Sequence, residues 1–216
     1  MQVKTIANDM NLRKYYTRSR NPRGILGFHI IKVMNGKRHA ALPDWVFSEL
    51  QIKKDAHVLD VGCGGGANVA RLLARCPEGH VTGLDNASLC LEESKDLNYP
   101  AIVDKKCLIV GGNVSQLPLA KDMFDLVTAF ETIYFWPSLE IGFEEVFRVL
   151  KPGGTFVVAN ELDGLEPEYR KIETAVGMLI YSIDEITEKL TAAGFTNIQA
   201  SREENRHFIC VTATKP

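Results

Sequence analysis

The chain has no cysteine pair. Cys63, Cys76, Cys90, Cys107 and Cys210 stand singly and odd in number, with no C-x-x-C spacing. That pattern excludes a disulfide framework and a thiolate zinc site, so no metal is expected. No apolar run approaches the roughly 18 residues needed to cross a bilayer. The opening stretch MQVKTIANDMNLRK lacks the apolar core of a signal peptide. These absences lead to a cytoplasmic protein with no membrane partner as the expectation. No repeat, low-complexity tract or linker divides the 216 residues, which suffice for one α/β domain with a full core. Oligomeric state leaves no mark.

Acidic residues are missing where they would balance the start of the chain. Residues 1–40 hold Lys4, Arg13, Lys14, Arg18, Arg20, Arg23, Lys32, Lys37 and Arg38 against Asp9 alone. The net charge of −2 therefore divides into +8 there and −10 on residues 41–216. Two readings are open: a solvated arm docked on its own acidic body, or an attractor for an anionic substrate or nucleic acid.

What is present centres on Val58-Leu-Asp-Val-Gly-Cys-Gly-Gly-Gly66. A β-branched run, Val58 to Val61, predicts a buried strand; four glycines then break it. Val69, Ala70, Leu72, Leu73 and Ala74 follow on one helical face. Strand, tight bend and helix N-terminus bring bare backbone N–H groups and a positive dipole end to one place, which suits a carboxylate or phosphate.

Helical periodicity covers residues 8–20, then Gly24, Gly27 and Gly36 punctuate a flexible stretch, so residues 1–40 read as an arm or lid. Pro43 starts a helix ending near Leu50. Strands are predicted at 56–61, 80–84, 107–110, 124–130 and 155–159. Helices are predicted at 66–75, 87–98 (with Ser88 or Asn86 as N-cap), 139–150 and 166–179. Lys151-Pro-Gly-Gly154 stops the third of these. Ser182 and Glu185 form a capping box opening a helix over 183–193, closed by Gly194. Residues 195–200 and 207–214 form a terminal hairpin. This alternation predicts a doubly wound, Rossmann-like α/β sheet, mostly parallel, with helices on both faces.

Two ligands compete for the bend. Gly62-x-Gly64-x-x-Ala67 fits a dinucleotide fingerprint, with Asp85 at the end of the second strand 23 residues after Gly62. S-adenosylmethionine has the same ribose diol for Asp85 but carries an ammonium where a dinucleotide carries pyrophosphate. A carboxylate at Asp60 complements the ammonium and gains nothing from a pyrophosphate.

At this point the chain resembles the class I S-adenosylmethionine-dependent methyltransferases. Val58–Gly66 is similar to that family's first motif and Thr82-Gly-Leu-Asp-Asn86 to its second. Asn113–Pro118 with Phe124-Asp-Leu-Val127 resembles its third, and Val146–Gly154 its turn into the fifth strand. The resemblance covers about residues 40–214. It implies a seven-stranded sheet ordered 3-2-1-4-5-7-6 with strand 7 antiparallel, and places the methyltransferase domain at 41–216. The chain has Asn113 where the family has Asp; its Oδ1 can still accept from an adenine amino group.

The resemblance also implies the chemistry: in-line transfer of the methyl of S-adenosylmethionine to a small-molecule acceptor, leaving S-adenosylhomocysteine. Alignment and desolvation do most of the work, and a base is needed only for a protonated acceptor. The cofactor's carboxylate is expected at Gly62, Cys63, Gly64 and Gly66, its ammonium near Asp60, its ribose at Asp85 and Asn86, and adenine at Asn113 and Val114. Phe130 should lie beside the methyl. Glu131, Tyr134 and His39 are the candidate catalytic groups, and Tyr16, His39, Tyr134 and Glu161 the candidate acceptor lining. Phe135 and Trp136 fit a core role equally. The run Phe130–Pro137 lacks the Asp/Asn-Pro-Pro-aromatic motif of exocyclic amine methylation, which lowers DNA methylation. An RNA methyltransferase using the basic arm and a non-catalytic S-adenosylmethionine-binding protein are the alternatives, with a nicotinamide oxidoreductase behind them.

Overall fold

Five short β-branched runs alternating with helices can bury both faces only as a covered parallel sheet, and that is the frame of this computed structural model. It describes residues 17–36, 39–165, 177–203 and 205–216. Its strands are β1 (His57–Val61), β2 (His80–Asp85), β3 (Cys107–Gly111), β4 (Phe124–Phe130), β5 (Leu150–Asn160), β6 (Thr196–Glu203) and β7 (Phe208–Thr214). Their order is β3-β2-β1-β4-β5-β7-β6, with β7 antiparallel to β5 and to β6, as the resemblance implied.

The helices are α1 (Gly24–Met34), α2 (Ala41–Glu49), α3 (Ala67–Arg75), α4 (Ser88–Leu97), α5 (Tyr99–Val103), α6 (Leu139–Val149) and α7 (Ile183–Ala192). Strand alternation divides the core in two. Phe156 and Val158 of β5 pack with Phe143 and Val146 of α6 and Ile186 and Leu190 of α7. Val157 and Ala159 face the other way, with Val46 and Phe47 of α2 and Val69 and Leu72 of α3. Phe143 and Phe156 are fully buried, each contributing about 1.5–3 kcal/mol of transfer free energy.

Several local expectations change. The glycine-punctuated stretch expected to be flexible contains α1. Gly27 does not break it; a Cβ there would lie 2.7 Å from the Pro22 carbonyl carbon, so glycine lets the helix pack on the preceding turn. The helix starting at Ser88 has Ala87 as N-cap, not Ser88 or Asn86, and no capping side chain of its own. The Asp85 carboxylate instead accepts from the Ala87 N–H at 2.9 Å. Lys151–Gly154 does not stop the chain short of a strand. β5 begins at Leu150 and holds those residues as an irregularity between the Phe124–Leu150 and Leu126–Thr155 pairs. The capping box is present: the Ser182 hydroxyl accepts from the Glu185 N–H and the Glu185 carboxylate from the Ser182 N–H. Positions 17–19 are helical, as expected for the end of the 8–20 segment. Residues 8–16, including Tyr16, and 166–176 lie outside the described residues, and 177–179 are not helical.

Candidate functional site

The site begins where β1 ends. Gly62 and Cys63 donate their N–H groups to the Leu84 carbonyl at 2.7 and 3.0 Å. Gly64 donates to Asp85 Oδ2 at 2.9 Å, and Gly66 to the Cys63 carbonyl at 3.0 Å. These four donors were expected to face a ligand. They are instead engaged within the protein, because a tight bend at the end of a central strand turns its donors inward and buried donors must be paired. What the glycines supply is missing bulk. A Cβ on Gly62 (φ 77°) would lie 2.1 Å from Thr132 Oγ1. One on Gly66 (φ 83°) would lie 2.5 Å from Asn98 Nδ2 and Ser94 Oγ. Gly64, by contrast, faces open space; its nearest neighbour would be Met34 Cε at 3.9 Å. The bend is thus closed below and open above.

Asp60 does not reach the opening. It is 2% exposed, and Thr128 Oγ1 donates to its Oδ1 at 2.7 Å. Burial pushes its carboxyl up to about 7, against the lowering effect of that hydrogen bond. An ammonium at the bend would meet this carboxylate through water rather than directly.

Asp85 does reach it. Its two oxygens accept from Gly64 and Ala87, tying the bend to the start of α4. Burial raises its pKa, and the N–H groups of Ala87, Gly64 and Asn86 oppose the rise. Each oxygen keeps a second lone pair for a diol. Beside it, Asn113 Oδ1 accepts from the Ser115 N–H at 3.0 Å, a local turn that presents Asn113 and Val114 to the same lobe.

β4 contributes the opposite wall. Phe130 packs edge-on against Phe47, ring centroids 5.2 Å apart. Glu131 follows at φ 57°, an uncommon conformation for a non-glycine residue that turns the chain sharply off the strand. Glu131 Oε1 accepts from the Tyr134 hydroxyl at 2.9 Å and from the Glu161 N–H. Tyr134 in turn accepts from the Leu162 N–H at 3.1 Å. His39 Nδ1 lies 3.4 Å from Glu161 Oε1. Burial pushes the Glu131 carboxyl up to about 8, with the Glu161 charge adding to it. Burial, then the Glu131 charge, raises the Tyr134 phenol well above its ordinary value. Three distant segments thus assemble one group of His39, Glu131, Tyr134 and Glu161. Trp136 is core: it is 5% exposed, its Nε1 donates to Thr132 Oγ1 at 3.2 Å, and its ring meets Phe143. Phe135 is half-buried and lines the cleft.

The cleft over these strand ends has two lobes. One, of about 890 Å³, is lined by Gly62, Gly64, Asp85, Asn86, Asn113, Val114 and Phe130. The other, of about 830 Å³, is lined by His39, Leu42, Cys63, Asn68, Arg71, Tyr134 and Met178. Met34, Gly62, Gly64, Phe130, Glu131 and Phe135 border both. Gly66 and Glu161 support the lobes from behind: Gly66 as the N-cap of α3, Glu161 through His39 and Glu131. Sequence reasoning missed Met34, Asn35, Asn68, Arg71 and Met178. Asn35 Nδ2 donates to the Gly65 carbonyl at 2.9 Å, so the segment after α1 roofs the bend. Arg71 pairs with Asp44 at 3.4 Å and donates to Asn68 Oδ1 at 3.3 Å, bringing a cation to the start of α3. Their spacing of three after the bend was the available signal.

The pattern of a family described as "Methyltransferase domain" matches residues 59–158. The sterol 24-C-methyltransferase erg-4 of Neurospora crassa is 34% identical over 155 residues, 68% of this chain and 41% of that protein. The chain belongs to the class I S-adenosylmethionine-dependent methyltransferases. Cycloartenol-C-24-methyltransferase of Arabidopsis thaliana is 35% identical over 130 residues, 58% of this chain and 38% of that one. The chain thus spans about two fifths of the length of these relatives. A methyltransferase solved with the Haloferax volcanii Trm112 activator superposes with a TM-score of 0.77 at 18% identity, covering 94% of this chain and 98% of that one. Geranyl diphosphate C-methyltransferase of Streptomyces coelicolor gives 0.72 at 14%, covering 92% and 87%. At those identities the likeness is one of fold.

Proposed function

We propose that this domain holds S-adenosylmethionine in the lobe of Asp85 and Asn113 and methylates a small, lipophilic acceptor lying in the lobe of His39 and Met178. The fit to the cofactor rests on the open face of Gly64 and the lone pairs left on Asp85, with Arg71 and Asn68 of the adjoining lobe, across the shared glycines, for a carboxylate. When bound, the cofactor supplies an electrophilic methyl group. Leu42, Phe130, Phe135 and Met178 supply an apolar wall for the acceptor and exclude water. The named relatives act on sterols, which accords with that wall. Of the arm, Met34 and Asn35 cover the glycine bend and the cleft.

The observation that carries the proposal is the place of Glu131. Its carboxyl borders both lobes, is held by Tyr134, and has its pKa pushed up to about 8. Below about pH 8 such a carboxyl holds a proton; ionised above that, it can take one up from an acceptor. The His39–Glu161 pair fixes the Glu161 main chain whose N–H orients Glu131.

No described helix is long and apolar enough to cross a membrane. All five cysteines are free and buried, as in a reducing compartment, and we place the protein in the cytoplasm on that ground. The test is calorimetric titration with S-adenosylmethionine, followed by assay of S-adenosylhomocysteine release with a panel of isoprenoid and sterol acceptors. Tight binding without release for any acceptor would make the protein a non-catalytic binder. Release with RNA alone, falling steeply with salt, would assign the basic arm to phosphates.

A further inference from the structure

α1 is apolar on both sides. Its inward face buries Gly27, Ile30 and Ile31. Its outward face exposes Ile25 (82%), Leu26 (49%), Phe28 (38%) and Val33 (46%), with His29 and Lys32 among them. Large apolar side chains in contact with water together with a cation and an imidazole suit an interface between polar and apolar surroundings. Here one side has the protein, and the other has solvent among the described residues.

Cations predominate beside this face, with Glu93 the acid that meets Lys32. From Met10 to Pro43 the sequence holds eight cations, Arg13, Lys14, Arg18, Arg20, Arg23, Lys32, Lys37 and Arg38, and no Asp or Glu. Arg18, Arg20 and Arg23 are exposed just before the helix. Lys32 near its end lies over the Phe28 ring and is 3.1 Å from Glu93, with its side chain still 56% exposed.

We propose that the outward face of α1 is a docking surface for an anionic lipid interface, with Ile25, Leu26, Phe28 and Val33 entering the headgroup region and the flanking cations meeting lipid phosphates. An apolar helix edged by Lys and Arg is the chemistry of an interfacial helix. Charge decides among the occupants. A second copy would set one cationic arm against another. Nucleic acid would pair with the arginines but leave four aliphatic and aromatic side chains facing a polar backbone. An anionic bilayer satisfies both sets at once.

Position gives the docking a purpose, and in this it rests on the reading that the acceptor is lipophilic. Met34 at the end of α1 borders both lobes, and Asn35 is bonded to the glycine bend. A surface under α1 therefore lies beside the cleft, and a lipophilic acceptor could pass between them with little exposure to water. The expectation of no membrane partner rested on the absence of a spanning run, which says nothing of a helix lying in an interface.

The experiment is co-sedimentation of the full chain with phosphatidylcholine vesicles, with and without phosphatidylglycerol, across a salt series. The wild type sediments with the anionic vesicles, loses that partitioning as salt rises, and does not sediment with the neutral ones. Ile25→Asp with Phe28→Asp lowers partitioning by roughly tenfold or more. Arg18→Gln with Arg23→Gln lowers it by roughly fivefold per cation. Both pairs keep the wild-type melting temperature and S-adenosylmethionine affinity, because neither removes a buried contact or a cleft residue. Failure to sediment with anionic vesicles overturns the proposal, as does equal sedimentation of the Ile25→Asp/Phe28→Asp variant. So does a soluble dimer, or a complex with RNA, that the same variant abolishes. Vesicle binding by a protein that never releases S-adenosylhomocysteine would leave the docking standing and remove the methyl-transfer reading.

Discussion

The two lobes of the cleft are built in opposite ways. The cofactor lobe is a local structure: β1, the glycine bend, α3 and the end of β2 follow one another between His57 and Asp85. Its bonds are main-chain donors on two carbonyls and one carboxylate, with little freedom in which residue can do the job. The acceptor lobe is assembled from far-apart pieces, with His39, Glu131, Glu161 and Met178 drawn from four segments. Its bonds are between ionisable side chains in a buried setting, where small changes in charge have large effects. The first lobe is rigid because of its backbone; the second is tuned by its pKa values.

The largest effect should come from the backbone. Gly62→Ala would place a Cβ 2.1 Å from Thr132 Oγ1 at φ 77°. The cost should be about 3 kcal/mol or more by denaturant unfolding. Adding Thr132→Ala should recover only part of the steric share, because the Thr132 Cβ at 2.7 Å remains, and should leave the dihedral share of about 1 kcal/mol. Full tolerance of the single change would show that the bend is not the rigid lobe described.

In the other lobe, Glu131→Gln should lower kcat/KM by about 10²–10⁴ while S-adenosylmethionine binding holds. Glu131 carries its proton below about 8 and is ionised above it. Wild-type kcat/KM should therefore rise with pH through that region, and the variant should lose the rise. A pH profile shared by both proteins would exclude Glu131 as the proton acceptor.

Asp85→Ala should weaken S-adenosylmethionine binding by about 1–3 kcal/mol in calorimetry. Asp85→Asn should lose less, since its Oδ1 can keep one of the two N–H bonds. Unchanged affinity in the alanine variant would move the ribose elsewhere.

Asp60 tests the same contrast by pH. Its folded pKa of about 7 lies above the ordinary 3.8. Between those values the unfolded chain releases a proton that the folded chain keeps, so stability falls as pH rises through that window. Asp60→Asn removes this slope and should gain about 4 kcal/mol relative to wild type on going from pH about 4 to about 8. The smallest change is far from the cleft: Ser182→Ala should cost about 1 kcal/mol by loss of the capping box.

Legibility followed the same division. The bend, Asp85 at the end of β2 and the Ser182–Glu185 cap depend on neighbours in sequence and were anticipated, while the strand order came from the resemblance. α1 was not anticipated. Gly24, Gly27 and Gly36 lower helix propensity locally, and burial of Ile30 and Ile31 on the body outweighs them. Asp60 was placed at the ligand because its position in the chain is next to the bend. Its direction of burial depends on Thr128, 68 residues away. Arg71 was overlooked because an arginine on an amphipathic helix is ordinary until Asp44 and the cleft are seen beside it.

The sequence by itself determined the alternation of strands and helices, the terminal hairpin and a glycine bend with an acid at the next strand end. Short-range periodicity and the steric uniqueness of glycine act through residues only a few positions apart. Tertiary structure alone decided which of the bend's donors were already taken, which carboxyl was hidden and which was poised, and what lies over the opening. Those outcomes depend on desolvation and on partners brought together from across the chain, and neither is a property of any one stretch of it.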